Sequence, residues 1–163
     1  MPVSDETFKE LMKRFAAGVT LVTFNEKNTF GGLTVSSFCS LSMTPPLVLI
    51  CIDRNIASHD SLKKISNFGV NICTSKQGKL AWDFANSNID KNELIKSLNP
   101  DITDNGTPLL KDCLASMDCT IKEKYEGGDH TIFVGQIESG NFDENAEPMV
   151  YYSSGLGKFT PNQ

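Results

Sequence analysis

Histidine, tryptophan and paired cysteine are scarce in this sequence, and each scarcity narrows the chemistry that its side chains can perform. The 163 residues include 2 histidines, 1 tryptophan and 5 cysteines. The cysteines are odd in number and show no Cys-x-x-Cys spacing, which predicts reduced thiols and neither disulfides nor a zinc site. Neither histidine has a partner at the spacing of a metal ligand, so we expect no metal site.

The sequence also lacks long apolar runs and any excess of positive charge. No run approaches the roughly 18 residues that predict a membrane span, and the N-terminus has no signal-peptide core. We therefore expect a cytoplasmic protein that is not bound to a membrane. A formal net charge of −5 argues against a nucleic-acid binder, which usually carries a basic face. The length and ordinary composition predict a single domain over residues 1–163.

The motifs of several large enzyme classes are missing as well. There is no Gly-x-Ser-x-Gly elbow, no phosphate-binding Walker loop and no Gly-x-Gly-x-x-Gly fingerprint. Gly31 and Gly32 precede a predicted strand and not a helix, which is the wrong context for a dinucleotide site. If the chain is an enzyme, we expect a bound cofactor to carry the chemistry.

What the sequence does contain is a series of short segments with the period-two alternation of strands. They predict a mainly β chain with peripheral helices, folded as a small barrel of about six antiparallel strands. We expect 47–52 to be a central strand buried on both sides, because it is almost continuously apolar. The predicted strands are 18–24, 33–38, 47–52, 68–72, 115–121 paired with 131–137 as a hairpin, and 149–152.

Three segments outside the strands carry their own predictions. Phe8, Leu11, Met12 and Phe15 follow helical spacing, which predicts an N-terminal helix packed on the body of the protein. Ser58 is a plausible N-cap of a short helix. The polar stretch 87–107 is too long for an ordinary connection, so we expect either a lid or a loosely structured excursion.

A row of small hydroxyl side chains directly precedes the apolar strand 47–52, within the stretch "TVSSFCSLSMTPP". These hydroxyls are suited to the polar edge of a flat heteroaromatic ring, yet they also fit the solvent face of a barrel strand. Ser58 at a helix start is suited to a phosphate group, but it equally fits a simple cap. His130, beside Asp129 in "GGDH", is either a functional imidazole or an ordinary turn residue.

Several segments, taken in order, resemble the flavin reductase-like proteins with an FMN-binding split barrel, which include reductase components of two-component flavin monooxygenases. The segments are "FAAGVTLVT", "GLTVSSFCSLSMTPPLVLICID", "FGVNI", "LAWDFA", "GTPLLKDCLASMDC" and "GDHTIFVGQI". The resemblance covers residues 15–152, and it implies a split β-barrel of Greek-key type. The wording of 53–56 departs from the commonest family pattern, so FMN and FAD both stay open.

The resemblance also implies roles for particular residues. The isoalloxazine ring would lie against Thr34, Val35, Ser36, Ser37, Phe38 and Ser40. The ribityl chain would lie against Cys51, Ile52 and Asp53, and the phosphate against Ser58 and His59. Phe84 and Ala85 would close the cofactor site. His130 would act on the nicotinamide side, where Tyr152 approaches the same pocket.

The function implied by the resemblance is NAD(P)H-dependent flavin reduction, with hydride passing from nicotinamide C4 to flavin N5. The expected cofactor is FMN or FAD, the substrate is NADH or NADPH, and the expected partner is a flavin-dependent monooxygenase. The resemblance further implies a homodimer. The alternative is a flavin-binding electron carrier or flavin store without nicotinamide oxidase activity.

Overall fold

The computed structural model describes residues 2–160, and strands make up most of its regular structure. The strands are β1 (Ala17–Gly18), β2 (Thr20–Glu26), β3 (Thr29–Val35), β4 (Phe38–Ser42), β5 (Leu47–Asp53), β6 (Asn67–Ile72), β7 (Asp101–Ile102), β8 (Pro108–Leu109), β9 (Ala115–Gly127), β10 (His130–Phe142), β11 (Met149–Tyr152) and β12 (Gly155–Lys158). The helices are α1 (Asp5–Met12), α2 (Ala57–Lys64), α3 (Gly78–Ala85) and α4 (Lys91–Ser97).

The main sheet has 7 strands in the order β3-β2-β6-β9-β10-β5-β4, and every neighbouring pair is antiparallel. β3 and β4 are consecutive in the chain yet lie at opposite edges, so the sheet must curl for the short link between them to reach. The Cys51 N–H donates to the Ser37 carbonyl over 3.1 Å, where this link meets β5. The predicted mainly β fold with peripheral helices is confirmed; the single domain over 1–163 stays a prediction.

Alternation along the strands separates an inner core from an outer one. The inner core fills the curl of the sheet, and Leu62 of α2 closes it at one end. The outer core lies between the other face of the sheet and α3, α4 and β11. Phe68, Phe133 and Ile50 are completely buried in the inner core, and Leu21 and Ile95 in the outer one.

Two strand predictions were wrong in ways that matter for the site. The predicted strand 33–38 is two strands, because β3 ends at Val35 and the chain crosses to β4 at Phe38. β5 is not buried on both sides: its residues alternate between buried and half-buried, and only β4 separates it from the sheet edge. Leucine at 47 and 49 makes the run look continuously apolar, although both side chains point away from the inner core.

The predicted packing of the N-terminal helix was also wrong; of the two alternatives for 87–107, the loosely structured excursion was wrong and the lid stays a prediction. The N-terminal helix forms, and the Ser4 side chain accepts a hydrogen bond from the Thr7 N–H, but none of its residues is buried. The segment 87–107 is not loosely structured, because it contains α4 and part of a short β7–β8 pair. The Asp90 side chain caps α4, and Ile95 anchors that helix in the outer core.

Candidate functional site

A surface pocket of about 200 Å³ lies on the outer face of β3, between α3 and the small sheet formed by β1, β11 and β12. Its walls are largely apolar, with hydroxyl groups along the β3 side. The pocket therefore combines a flat apolar surface with a polar edge, which is the combination that a heteroaromatic ring requires. Its lining residues are Val19, Thr34, Ser36, Ala81, Trp82, Ala85, Tyr151 and Leu156.

Thr34 and Ser36 supply the polar edge. The Thr34 hydroxyl donates to the Ala81 carbonyl over 2.6 Å, which ties β3 to α3 and fixes the wall of the pocket. Ser36 is exposed, and it follows the last residue of β3. Within residues 2–160, neither Ser36 nor Ser37 donates its backbone N–H to another protein group. Two donors at the break between β3 and β4 are therefore open to a ligand.

Phe84 and Ala85 lie where α3 meets the outer face of β3. Ala85 lines the pocket, whereas Phe84 is buried in the outer core behind it. The Phe84 ring occupies the space that a side chain at Gly32 would need, since a Cβ there would lie 2.6 Å from its Cε1 atom. The glycine thus lets α3 approach the strand that carries Thr34.

A second group of the predicted residues lies on the outer face of β5 and β10. His130 is paired with Asp53, and Ile132 with Cys51, so these four side chains share one face. The Arg54 N–H donates to the Asp129 carbonyl over 3.0 Å, which holds the β9–β10 turn against the end of β5. The Cys51–Ser37 hydrogen bond connects this group to the first pocket.

His130 and Cys51 lie in different electrostatic surroundings. The His130 Nδ1 atom lies 2.7 Å from the Asp129 Oδ1 atom. This hydrogen bond, together with the attraction of the imidazole, lowers the pKa of the Asp129 carboxyl. Burial, and to a smaller extent the nearby Cys39 thiol, raises the pKa of Cys51. Cys51 is therefore a neutral thiol at neutral pH, whereas the Asp129 carboxylate is available to orient the imidazole.

The start of α2 differs from the sequence prediction. The helix begins at Ala57, so its N-cap is Ile56 and not Ser58, which lies inside the first turn. An Asx turn accounts for the earlier start, because the Asp53 Oδ1 atom accepts the Asn55 backbone N–H over 2.8 Å. Ile56 offers no side-chain acceptor to the first-turn N–H groups. The His59 N–H donates to the Ile56 carbonyl over 3.0 Å, so within the described residues the Ala57 and Ser58 N–H groups are the ones open to an anion.

Five predicted residues do not present their side chains to either group. His59 is 4% exposed, and its Nε2 atom is hydrogen-bonded to the Thr131 hydroxyl over 2.8 Å inside the protein. Val35 and Ile52 are buried in the inner core, against which Phe38 also packs. Ser40 is exposed on the edge strand β4. For Val35 and Ile52, only the backbone is left to contact a ligand.

The sequence model of the flavin reductase like domain matches residues 12–160 of this chain. The chain belongs to the flavin reductase-like family.

Individual members of the family are similar over nearly the whole chain. The reductase component of 4-nitrophenol 4-monooxygenase/4-nitrocatechol 2-monooxygenase from Rhodococcus opacus is 32% identical over 160 residues, covering 98% of this chain and 84% of the relative. The NADH-dependent FAD reductase of Streptomyces globisporus is 32% identical over 152 residues, covering 91% and 82%.

Solved structures of flavin reductases agree with the fold. The Streptomyces globisporus C-1027 NADH:FAD oxidoreductase SgcE6, in complex with NAD and FAD fragments, superposes with a TM-score of 0.89 at 30% identity, covering 99% of each chain. BorF, the flavin reductase component of a bacterial two-component tryptophan halogenase, gives a TM-score of 0.90 at 28% identity. The match covers 98% of this chain and 100% of BorF.

In this flavin reductase-like chain, sequence reasoning missed several residues of the pocket. Trp82 lies one helical turn before Ala85 and is 56% exposed, which is unusual for such a large aromatic side chain. Its spacing to Ala85 was the available signal, since residues three apart share one face of a helix. Tyr151 and Leu156 come from β11 and β12, and β12 was not predicted. The predicted Tyr152 is exposed beside Tyr151 and does not line the pocket.

Proposed function

We propose that this chain is an NAD(P)H-dependent flavin reductase that supplies reduced FMN or FAD to a partner oxygenase. The observation that carries the proposal is the pair of open N–H groups at Ser36 and Ser37, beside an apolar pocket in a chain of this family. The names of its relatives support the same activity, because they include NADH-dependent flavin reductases and monooxygenase reductase components.

The pocket fits the edge of an isoalloxazine ring. Its apolar wall, which includes Ala81 and Trp82, suits the ring face, while Ser36 and Ser37 offer donors to ring carbonyl oxygens. When bound, the flavin supplies the hydride-accepting chemistry, with hydride passing from nicotinamide C4 to flavin N5. Backbone donors at the ring edge favour the negative charge that grows there during reduction. No general base is needed, which agrees with the scarcity of titratable side chains around the pocket.

The flavin phosphate would be bound by the first turn of α2. Ile56 leaves the N–H groups of this turn without a side-chain acceptor, and the positive end of the helix dipole favours an anion. Ser58 would add its hydroxyl from within the turn. Because the His59 side chain is buried against Thr131, we do not carry His59 forward as a phosphate ligand.

His130 would bind the nicotinamide. If its Nδ1–H donates to Asp129, the Nε2 atom of the neutral ring is an acceptor. The carboxamide N–H₂ of a nicotinamide is a matching donor. Asp129 would then act as a positioning residue, which fixes the tautomer and the ring orientation of His130.

We also propose that the protein is a cytoplasmic homodimer. A pocket of about 200 Å³ encloses only part of a flavin, so the rest of the ligand would be solvent-exposed in a single chain. A second subunit would cover it, and the exposed apolar face of α1 offers surface for such a contact. Sedimentation of the flavin-loaded protein should give the mass of a dimer; a monomer at micromolar concentration would contradict this part. Among residues 2–160, no helix has the length and apolar character that a membrane crossing requires.

The experiment that tests the function is NADH and NADPH oxidation by the purified protein, with and without added FMN or FAD. We expect oxidation to require flavin and to saturate with it, and reduced flavin to support a partner oxygenase when one is added. Binding of flavin without oxidation of either nicotinamide would favour the electron carrier or flavin store. Absence of flavin binding would overturn both functions.

A further inference from the structure

The side chain of His59 joins the first turn of α2 to β10 inside the protein. His59 is 4% exposed, and its Nε2 atom lies 2.8 Å from the Thr131 hydroxyl oxygen in a buried hydrogen bond. Its ring also packs edge-on against Phe133, with 6.1 Å between the ring centroids and 73° between the ring planes. The imidazole is therefore held by one polar and one aromatic contact, and both partners belong to β10.

His59 is also what fixes the first turn of α2 to the sheet. Among residues 54–60 it alone is buried, whereas Ala57 is exposed and Ser58 is half-buried. Its backbone is part of the same turn, because the His59 N–H donates to the Ile56 carbonyl over 3.0 Å. The contacts of its side chain with β10 therefore help to set the direction in which the N–H groups of Ala57 and Ser58 point.

The partner of His59 has a fixed position of its own. Thr131 is paired with Ile52 of β5 on one side and with Glu126 of β9 on the other. Because neighbouring residues of a strand point to opposite faces, Thr131 faces α2 while His130 lies on the outer face. A hydrogen bond to Thr131 thus places the start of α2 relative to the paired strands of the main sheet.

An imidazole is an unfavourable way merely to fill this position. The Nδ1 atom of His59 is buried and has no hydrogen-bond partner within residues 2–160. The Asp60 Oδ1 atom is 3.7 Å away, which is too far for a hydrogen bond. A buried polar atom without a partner destabilises the fold, and an apolar side chain would avoid this cost. What the imidazole provides, and an apolar side chain does not, is the directed hydrogen bond to Thr131.

We propose that His59 is a positioning residue for the flavin phosphate, which it does not touch. Its hydrogen bond to Thr131 holds the Ala57 and Ser58 N–H groups in the direction of the phosphate. This inference rests on the proposed function, because it concerns the phosphate end of the same flavin site. The ring would be bound elsewhere, at the break between β3 and β4. Loss of the hydrogen bond should therefore weaken the binding of the phosphate and not that of the ring.

The test compares the affinity for FMN with the affinity for riboflavin, which has the same ring and ribityl chain but no phosphate. We expect the unaltered protein to prefer FMN, and we expect Thr131→Val to reduce this preference about three- to tenfold. The affinity for riboflavin should be unchanged. His59→Leu should have the same effect as Thr131→Val, whereas His59→Gln keeps an amide that can bond the hydroxyl and should recover part of the preference.

The matched control is Thr120→Val, which makes the same chemical change on β9. The Thr120 hydroxyl accepts a hydrogen bond from the Asn67 Nδ2 atom over 3.1 Å, so its partner belongs to β6 and not to α2. This variant should keep the full preference for FMN, whatever its effect on Tm. If Thr131→Val does not fold, the comparison of His59→Leu with His59→Gln decides in the same way.

The outcomes separate this inference from the function on which it rests. A preference for FMN that Thr131→Val and His59→Leu leave unchanged would overturn the role of His59 alone. Equal affinities of the unaltered protein for FMN and riboflavin would overturn the phosphate site, and with it the role of His59, but not flavin reduction. If neither of these flavins binds, the role of His59 is refuted, and if FAD also fails to bind, the proposed function is refuted as well.

Discussion

Gly32→Ala tests whether the close approach of α3 to β3 shapes the flavin pocket. An alanine Cβ at this position would lie 2.6 Å from Phe84 Cε1, 3.0 Å from Phe84 Cδ1 and 3.1 Å from the Val22 carbonyl oxygen. The carbonyl belongs to a paired strand and cannot retreat. Phe84 is 2% exposed and packed in the outer core, so it can move only together with α3.

The expected cost follows from these contacts. Adding one methyl group to a well-packed core typically costs about 1–3 kcal/mol. The lower entropy of alanine in the unfolded chain offsets about 0.4–1 kcal/mol of this. A net loss of about 1–2 kcal/mol corresponds to a Tm about 2–8 °C lower in a domain of this size. Because Ala81 and Ala85 of α3 line the pocket, the same displacement should weaken flavin binding several-fold.

The matched control is Gly18→Ala, because a Cβ at that position meets no atom within 4 Å. We expect its flavin affinity to equal that of the unaltered protein, and its Tm to be about 1–4 °C higher, because the entropy gain of alanine acts here without a clash. Adding Phe84→Leu to Gly32→Ala should recover part of the lost stability, and a double-mutant cycle by thermal and urea unfolding measures this coupling. If Gly32→Ala is as stable as Gly18→Ala and binds flavin equally well, the close contact with Phe84 does not shape the pocket.

Three further predictions address the nicotinamide, the phosphate and the buried thiols. His130→Ala should lower kcat/KM for NADH about ten- to hundredfold in steady-state assays, while flavin titrations change by no more than a few-fold. Ser58→Ala should weaken flavin binding by about 1–2 kcal/mol in the same titrations, and equal affinity would remove Ser58 from the site. Burial raises the pKa of the Cys119 thiol from 9.0 to about 12, so its stabilising contribution is complete below pH 9 and is lost between pH 9 and 12. Urea unfolding of Cys119→Ala should therefore show a shallower alkaline loss of stability, by up to about 1.4 kcal/mol per pH unit, and an unchanged slope would refute the assignment.

Sequence reasoning predicted the strands and the hairpin well, because alternation reports directly on which face of a strand is buried. It failed where alternation shows which side chains share a face but does not show how deeply each face is buried. Leu47 and Leu49 extend the apolar run of β5, yet they lie on the face opposite Val48 and Ile50. A half-buried leucine and a fully buried one are the same letter in the sequence. The position of β5 near the sheet edge depends on its pairing with β10, which is a long-range property.

The candidate site shows the same limit. The hydroxyls of Thr34 and Ser36 were found because they form a local row in the sequence. The sequence did not show which of these groups are open to a ligand. The Thr34 hydroxyl donates to the Ala81 carbonyl, and the open donors are the backbone N–H groups of Ser36 and Ser37. The start of α2 likewise depends on the preceding turn. The Asp53 side chain accepts a hydrogen bond from the Asn55 N–H, and the N-cap is Ile56 where the sequence predicted Ser58.

In the N-terminal helix, periodicity predicted the apolar face but not the surface that this face contacts. The spacing of Phe8, Leu11 and Met12 predicted an apolar helix face, and the helix has one, but these side chains are 52–55% exposed in the single chain. A backbone hydrogen bond from the Ser153 N–H to the Lys13 carbonyl fixes the end of α1 beside the β11–β12 hairpin. Periodicity indicates that a face avoids water; it does not name the surface that covers it. The error was to assume that this surface belongs to the same chain, and under the proposed homodimer the unchanged pattern acquires its partner in a second copy.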